Sequence, residues 1–248
     1  MLPINLVMTK IRLDHTLADR GIVSSRSQAE SWIKLGKVTV DGKVVTKPGH
    51  FVGPNSVIVL LAETQYVSRA GLKLASVAEI LGLQFKDKTV LDVGSSTGGF
   101  TDYSLRNGAK KVYAVDVGTD QLHPSLRNNK QIELHEKTDI RDFYVKDTID
   151  IVVIDVSFIS LREILPHIYN HLCSINTEVV AMVKPQFEAG KDQTNKGVIK
   201  NDSIRRKILK DFEDWSRAYF SITSKRDSDV SGAKGNQERF YLLKPLKK

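Results

Sequence analysis

Three aspartates, a lysine and a glycine-rich turn are the residues of this chain whose types and spacing could do chemistry. The turn lies in LDVGSSTGGFTD, 91–102, between an apolar run that reads as a buried strand and a segment that could be helical. A glycine-rich turn lets backbone approach a ligand closely at the first strand-to-helix crossover of an α/β sheet. Its spacing is G-x-x-x-G-G with no lysine after the glycines. The dinucleotide fingerprint needs G-x-G-x-x-G and the Walker loop G-x-x-x-x-G-K-[ST], so both phosphate readings are weakened. Asp116 ends the next strand, YAVDVG, 22 positions beyond Gly94, where a doubly wound sheet would place ribose hydroxyls. Asp139, in HEKTDIRD, follows a third strand, where an adenine amino group could donate to it; Asp155, in VVIDVSF, closes a fourth. Any one of these acids is more often a cap or turn residue than a ligand, but their placement after successive strands reverses that preference. Three acids without a phosphate-binding lysine suit a ligand with a nucleoside and a positive centre, and S-adenosylmethionine has both. Lys184 ends a fifth apolar strand in VAMVKPQFE. Burying it is costly unless it is paired, and Asp155 on the neighbouring strand end is the natural partner. The alternative is a lysine whose stem snorkels to solvent.

These residues need an α/β sheet to position them. From residue 67 onward, strand-like runs (TVLDVG, KVYAVDVG, IELHE, IDIVVIDVS, EVVAMVKPQF) are separated by spacers, several of helix length. Apolar runs that do not alternate indicate strands buried on both faces, hence a mostly parallel sheet covered by helices. Ahead of it, SRAGLKLASVAEILGL is helical, with Leu72, Leu74, Ala75, Ala78, Ile80 and Leu81 as core positions. NDSIRRKILKDFEDWSRAY reads as a late helix capped by Asn201 or Asp202, and the chain ends in two strands around a glycine-containing loop.

The 248 residues carry a formal charge of +8, which favours a polyanionic partner, nucleic acid before membrane. The single cysteine, Cys173, excludes an intrachain disulfide and a multi-cysteine zinc site, and no metal is expected. No apolar run approaches the ~20 residues of a membrane-spanning helix. The opening MLPINLVMTK lacks the basic start and long apolar stretch of a secretory leader, so a cytoplasmic protein is expected.

Residues 10–62 have a different texture. Leu13, Leu17 and Ala18 share one helical face, Gly21 stops the helix, and Ser24 or Ser25 caps a second carrying Ala29, Trp32 and Ile33 up to Gly36. KVTVDGKVV then alternates around Asp41-Gly42, a hairpin signal. Through Arg12-Leu13-Asp14, Gly21, Ser25-Arg26, Ala29, Ile33, Gly36, Val38-x-Val40-x-Gly42 and Lys47-Pro48, this module resembles the S-four (S4) RNA-binding domain. The resemblance implies binding to structured RNA through a basic face, for which Arg12, Arg26, Gln28, Lys34 and Lys37 are the candidates. Residues 63–66 read as a linker and 67–248 as the second domain.

That second domain resembles the FtsJ-like ribose 2′-O-methyltransferases, and the whole chain resembles the TlyA family of rRNA methyltransferases. The motifs that carry this are YVSRAGLKL, LDVGSSTGGFTD, AVDVGTDQLHPSLR, DVSFISL, VKPQFEAG, KGVIKND and KGNQERF. The chain departs from the pattern at Asp229, where a proline is expected, and at Arg239, where an apolar residue is expected. The resemblance implies a Rossmann-like methyltransferase sheet and a catalytic set of Lys73, Asp155, Lys184 and Glu238. It implies S-adenosylmethionine as cofactor, held by Gly94, Ser95, Ser96, Thr97, Gly98, Gly99, Phe100, Asp116, Val117, Asp139, Ile140 and Asp155. Arg69 in YVSRAGLKL joins the RNA-contact set. The implied substrate is a cytidine 2′-hydroxyl in large-subunit ribosomal RNA, with small-subunit RNA as a second target, and the expected working form is a monomer. Whether Lys184 would act as base or only steer the hydroxyl stays open at this stage. The haemolysin label attached to this family has no sequence support here, since no spanning helix or long basic amphipathic segment is present.

Overall fold

A computed structural model of the protein describes residues 10–23, 25–61, 66–189, 198–199, 201–230, 232 and 235–247. The Ser24 cap, linker positions 63–65 and parts of the KGVIKND and KGNQERF motifs lie outside the described residues. The chain divides between Gln65 and Tyr66 into two compact units.

In the first unit, β1 (Ile11–Arg12) leads directly into α1 (Leu13–Asp19), and α2 (Arg26–Lys34) follows. Gly21 takes φ +65°, which turns the chain out of α1, and the Ser25 hydroxyl accepts from Gln28 N to cap α2. Strands β2 (Val38–Val40) and β3 (Lys43–Val44) form the expected hairpin, with Asp41 and Gly42 both at positive φ as a type I′ turn requires. After β4 (Phe51–Val52), which pairs β1, β5 (Ile58–Leu60) completes a three-stranded sheet in the order β3-β2-β5. Leu13, Leu17, Ala29, Ile33 and Val38 are fully buried between helices and sheet.

The second unit begins with α3 (Arg69–Ala78) and β6 (Thr89–Val93), then α4 (Gly99–Arg106), β7 (Lys111–Val115) and β8 (Ile132–His135). It continues through β9 (Ile151–Ile154), α5 (Leu161–His167), β10 (Glu178–Val183), the single turn α6 (Pro185–Glu188) and α7 (Asp202–Ser216). Strands β11 (Phe220–Asp227) and β12 (Arg239–Pro245) close the chain. The sheet order is β11-β12-β10-β9-β6-β7-β8, with β6 to β10 parallel and β12 inserted antiparallel beside β10. Strand order reverses beside β6, which opens a crevice at the carboxyl ends of the strands.

The strands carry apolar residues on both faces because both are covered. Leu91, Val93, Val152, Ile154, Val179 and Ala181 pack with α5 and α7, while Val90, Val112, Val153, Val180 and Met182 pack with α3 and α4. Ile80, expected in the core, is 57 % exposed, because α3 ends at Ala78 and the chain turns out through Gly82. Val77 takes the buried position instead. Asn201, not Asp202, caps α7, accepting from Ser203 N and Ile204 N. Tyr66, read as linker, packs its ring 5.5 Å from that of Tyr103 within the second unit.

Candidate active site

Helix α3 reaches the site because two glycines let it lie against α4. A Cβ on Gly99 would stand 2.3 Å from Ser68 Oγ and 2.8 Å from Gly71 N, and one on Gly71 would stand 2.6 Å from Tyr66 Cβ. The start of α3 is fastened by Val67 N, which donates to Asp102 Oδ2 on α4. One helical turn further on, Lys73 is buried and its Nζ donates to Glu238 Oε2 at 2.5 Å. Gly232 leaves room for that carboxylate, since a Cβ there would fall 2.3 Å from Glu238 Oε1.

The second pair lies beside the first. Lys184 follows β10, and its Nζ lies 2.6 Å from Asp155 Oδ1 at the end of β9 while donating to Ser157 Oγ at 2.8 Å. The β10–β12 ladder pairs Val183 with Arg239, which brings Lys184 and Glu238, the next residues outward, to the same sheet edge. All four residues of the expected catalytic set are therefore gathered as two largely buried ion pairs, with Asp155, Lys184 and Glu238 on strand ends and Lys73 on α3. Buried charges are tolerated here because each has an opposite charge within contact.

Beside the pairs lies a cavity of about 380 Å³ whose walls include Gly94, Ser96, Asp116, Val117, Asp139 and Ile140. That volume falls in the range of small-molecule sites, roughly 300–1,000 Å³. A smaller cavity shares Gly94, Ser96 and Asp155 with it and adds Ser95, Thr97, Phe100, Asp92 and Lys184. Asp116 joins two backbone segments, accepting from Ser96 N at 2.8 Å and Gly118 N at 2.7 Å. Asp139 accepts from Arg141 through both carboxylate oxygens, and these hydrogen bonds hold it below the ordinary carboxylate pKa.

The glycines of the turn divide their work. Gly94, at φ +78°, lines both cavities, and a Cβ there would meet the Asp155 carbonyl at 2.9 Å. Gly98 and Gly99 line neither; a Cβ on Gly98 would strike the Leu122 and Leu126 side chains at 2.6 Å. At both positions side chains or α3 fill the space a Cβ would need.

Several residues escaped the sequence reading. Asp92, inside β6, is buried, accepts from Thr101 Oγ1 at 2.6 Å, and leaves its Oδ1 buried without a hydrogen-bond partner. Burial pushes its carboxyl up to about 7, against the opposing Thr101 hydrogen bond. An acid inside an otherwise apolar strand was the available signal. Phe158 is 91 % exposed at the cavity lip with φ +68°, a conformation costly for a bulky side chain, and its ring lies 5.2 Å from Phe187. Glu188, with its pKa raised by burial, accepts from Ser160 Oγ and Leu161 N and so ties the turn after Lys184 to the loop after Asp155.

The Asp92 shift fixes the sign of a stability effect. Its folded pKa, about 7, lies above the ordinary aspartate value, so the folded state binds the extra proton and this group's stabilisation is lost as pH rises from about 4 to about 7. The contribution at stake is about 4 kcal/mol at most. Urea unfolding of Asp92→Asn against wild type across that window is expected to show a flatter pH dependence; parallel curves would refute it.

In the first unit, Arg12 forks onto both carboxylate oxygens of the buried Asp14 and Arg26 donates Nε to its Oδ2, which accepts from the two at 2.8 and 2.9 Å. Burial opposes ionisation of Asp14, but the two guanidiniums hold it well below the usual carboxylate range. Gln28 is buried at 2 % exposure, a correction to its place on a basic surface, because its position in α2 turns into the core. Lys34 and Lys37 are exposed, with no carboxylate at ion-pair distance among the described residues. Arg69 is half-buried at the start of α3. Among the described residues, no three His, Cys, Asp or Glu side chains are grouped to hold a metal, and no helix is long and apolar enough to cross a membrane.

Comparison with known proteins adds a family to this geometry. Residues 66–244 match the FtsJ-like methyltransferase model and residues 11–58 the S4 domain model. The chain is 44 % identical over 185 residues to the 23S rRNA (cytidine-2′-O)-methyltransferase TlyA of Campylobacter jejuni, covering 73 % of this chain and 72 % of that one. It is 35 % identical over 242 residues to the 16S/23S rRNA (cytidine-2′-O)-methyltransferase TlyA of Mycobacterium tuberculosis, covering 95 % and 90 %. A solved Streptococcus thermophilus protein with a provisional hemolysin designation superposes with a TM-score of 0.72 at 36 % identity, covering 98 % of this chain and 90 % of that one.

Proposed function

The chain belongs to the TlyA group of FtsJ-like methyltransferases, with an S4 domain ahead of the catalytic one, and from that membership we propose that it methylates the 2′-hydroxyl of a cytidine in ribosomal RNA. The large-subunit RNA is the primary target and small-subunit RNA a second one, modified in the cytoplasm. The carrying observation is the Lys184–Asp155 pair between two cavities that share Gly94 and Asp155, with Lys184 lining the smaller and Asp116 the larger.

The residues present fit S-adenosylmethionine. Asp116 would hold the ribose hydroxyls, Val117 and Ile140 would flank the adenine, and Asp139 stands at its edge. Asp92, with a buried oxygen lacking a hydrogen-bond partner, suits a cationic or N–H-donating group. When bound, S-adenosylmethionine supplies an electrophilic methyl carbon on a sulfonium. The chain's own part is to bring a weak nucleophile to it and remove a proton. Asp155 and Ser157 fix where Lys184 Nζ sits, and in its neutral form that nitrogen accepts the 2′-hydroxyl proton as attack proceeds. Lys73 and Glu238 hold the ribose, which keeps the hydroxyl in a near-attack position. Phe158 offers an exposed ring on which an unstacked base can lie.

The division of labour places RNA capture on the S4 unit, roughly residues 10–62, through Lys34 and Lys37. Contacts of this kind go to phosphates and 2′-hydroxyls and are salt-dependent. Lys34→Glu combined with Lys37→Glu is expected to weaken rRNA binding about tenfold and to lower the salt slope by about two, with cofactor affinity unchanged. Unaltered RNA affinity in a filter-binding titration would remove these lysines from the interface. The activity is tested by incubating the protein with labelled S-adenosylmethionine and separated ribosomal subunits. Label in large-subunit RNA is expected; label in neither subunit would refute the proposal.

A further inference from the structure

A charged cluster beside Glu238 has no part in the transfer step described above. Asp227 ends β11 and faces Arg239, the first residue of β12, across the antiparallel ladder. Its Oδ1 accepts from Arg205 Nη2 and from Arg239 Nε, each at 2.6 Å, and its Oδ2 from Arg239 Nη2 at 3.1 Å. Burial acts to raise the Asp227 pKa, and these hydrogen bonds outweigh it, leaving the carboxyl below its ordinary value. The cluster also grips the backbone. Arg205 Nε donates to the Gln237 carbonyl at 3.1 Å, Ser228 N donates to the Glu238 carbonyl at 3.0 Å, and Gln237 Nε2 donates to the Ser228 carbonyl at 2.7 Å.

Glu238 is thereby held from both sides along the chain: the carbonyl before it, its own carbonyl, and the side chain after it. Its carboxylate meets Lys73 on one side and the bare Cα of Gly232 on another. The arrangement is an expensive way to hold a strand end, because the Arg205 and Arg239 side chains are only 12 % and 23 % exposed. A well-packed apolar pair would serve stability as well or better, whereas charged, directional bonds fix an angle.

We propose that Asp227, with Arg205 and Arg239, is a positioning residue that aims the Glu238 carboxylate at Lys73 and so sets the ribose-holding half of the site. The inference rests on the methyl-transfer reading. Its test is a double-mutant cycle on the full-length protein, with methyl transfer to ribosomal subunits normalised to S-adenosylmethionine binding stoichiometry. Asp227→Ala is expected to lower kcat about tenfold with KM for both substrates within about twofold, and Asp227→Glu to recover most of the loss. In a Glu238→Gln background the same Asp227→Ala change is expected to cost less than about twofold, since the group it aims is gone. A loss that persists in that background, or an unaltered kcat in the single variant, overturns the proposal. Should Asp227→Ala fail to fold, Arg239→Leu enters the same cycle and decides it. A wild type that transfers no methyl group would refute the underlying reading. The clamp is then judged from the Lys73 ¹⁵Nζ chemical shift, which must move in Asp227→Ala as it does in Glu238→Gln, and which overturns the proposal if it stays put.

Discussion

Replacing Lys184 by alanine is expected to lower kcat about 10³-fold, within the range of lost general-base catalysis, while S-adenosylmethionine still binds at wild-type stoichiometry. The two effects separate because Lys184 lines the smaller cavity and not the larger one that would take the nucleoside. Alanine also strands Asp155, whose side chain is 14 % exposed, so a stability loss of a few kcal/mol accompanies the variant and is measured by urea unfolding. Lys184→Arg keeps the cation beside Asp155 but cannot accept a proton near neutral pH, and it is expected to be as slow as alanine. An arginine variant with near-wild-type kcat would show that the residue steers the hydroxyl and that its proton leaves by another route.

Gly94→Ala carries the second large effect. The residue sits at φ +78°, where a Cβ is strained, and that Cβ would stand 2.9 Å from the Asp155 carbonyl and 3.1 Å from Val156 Cγ1. Relief requires the end of β6 and the end of β9 to part, which moves Asp155 and opens the cavity wall. The expected outcome is a stability loss of about 2–4 kcal/mol and a cofactor Kd raised about 100-fold, read by urea unfolding and calorimetry. Gly82→Ala is the control: φ is +69° but nothing lies within 4 Å, so only the left-handed penalty of about 1–2 kcal/mol applies. Equal losses at both positions would mean that the close approach at Gly94 is immaterial.

The parts of this fold that were legible in the sequence are those that local physics sets. Apolar runs without alternation marked β6, β7, β9 and β10 because both faces of those strands are covered, and Asp41-Gly42 marked the hairpin because few residues tolerate two successive positive φ angles. Asp116, Asp155 and Lys184 stood out because each closes an apolar strand. What stayed hidden are pairings between distant segments. The Lys73–Glu238 contact joins residues 165 positions apart, and no spacing rule brings them together; only the family resemblance named them. The same holds for Asp227 with Arg205, for Arg26 with Asp14, and for the packing that makes Gly98 and Gly99 obligatory. Ile80 and Gln28 were misjudged for a simpler reason: residue type was read without knowing where a short helix ends or which face it turns inward.

The central claim is that the nucleophile is a ribose 2′-oxygen, activated by the Lys184–Asp155 pair. It is tested most directly by alkaline hydrolysis and nucleoside mass spectrometry of ribosomal RNA methylated by the purified protein. A 2′-O-methyl group blocks cleavage of the adjoining phosphodiester, so the predicted product is an alkali-resistant dinucleotide containing 2′-O-methylcytidine. Label released entirely as a base-methylated mononucleotide would contradict the account.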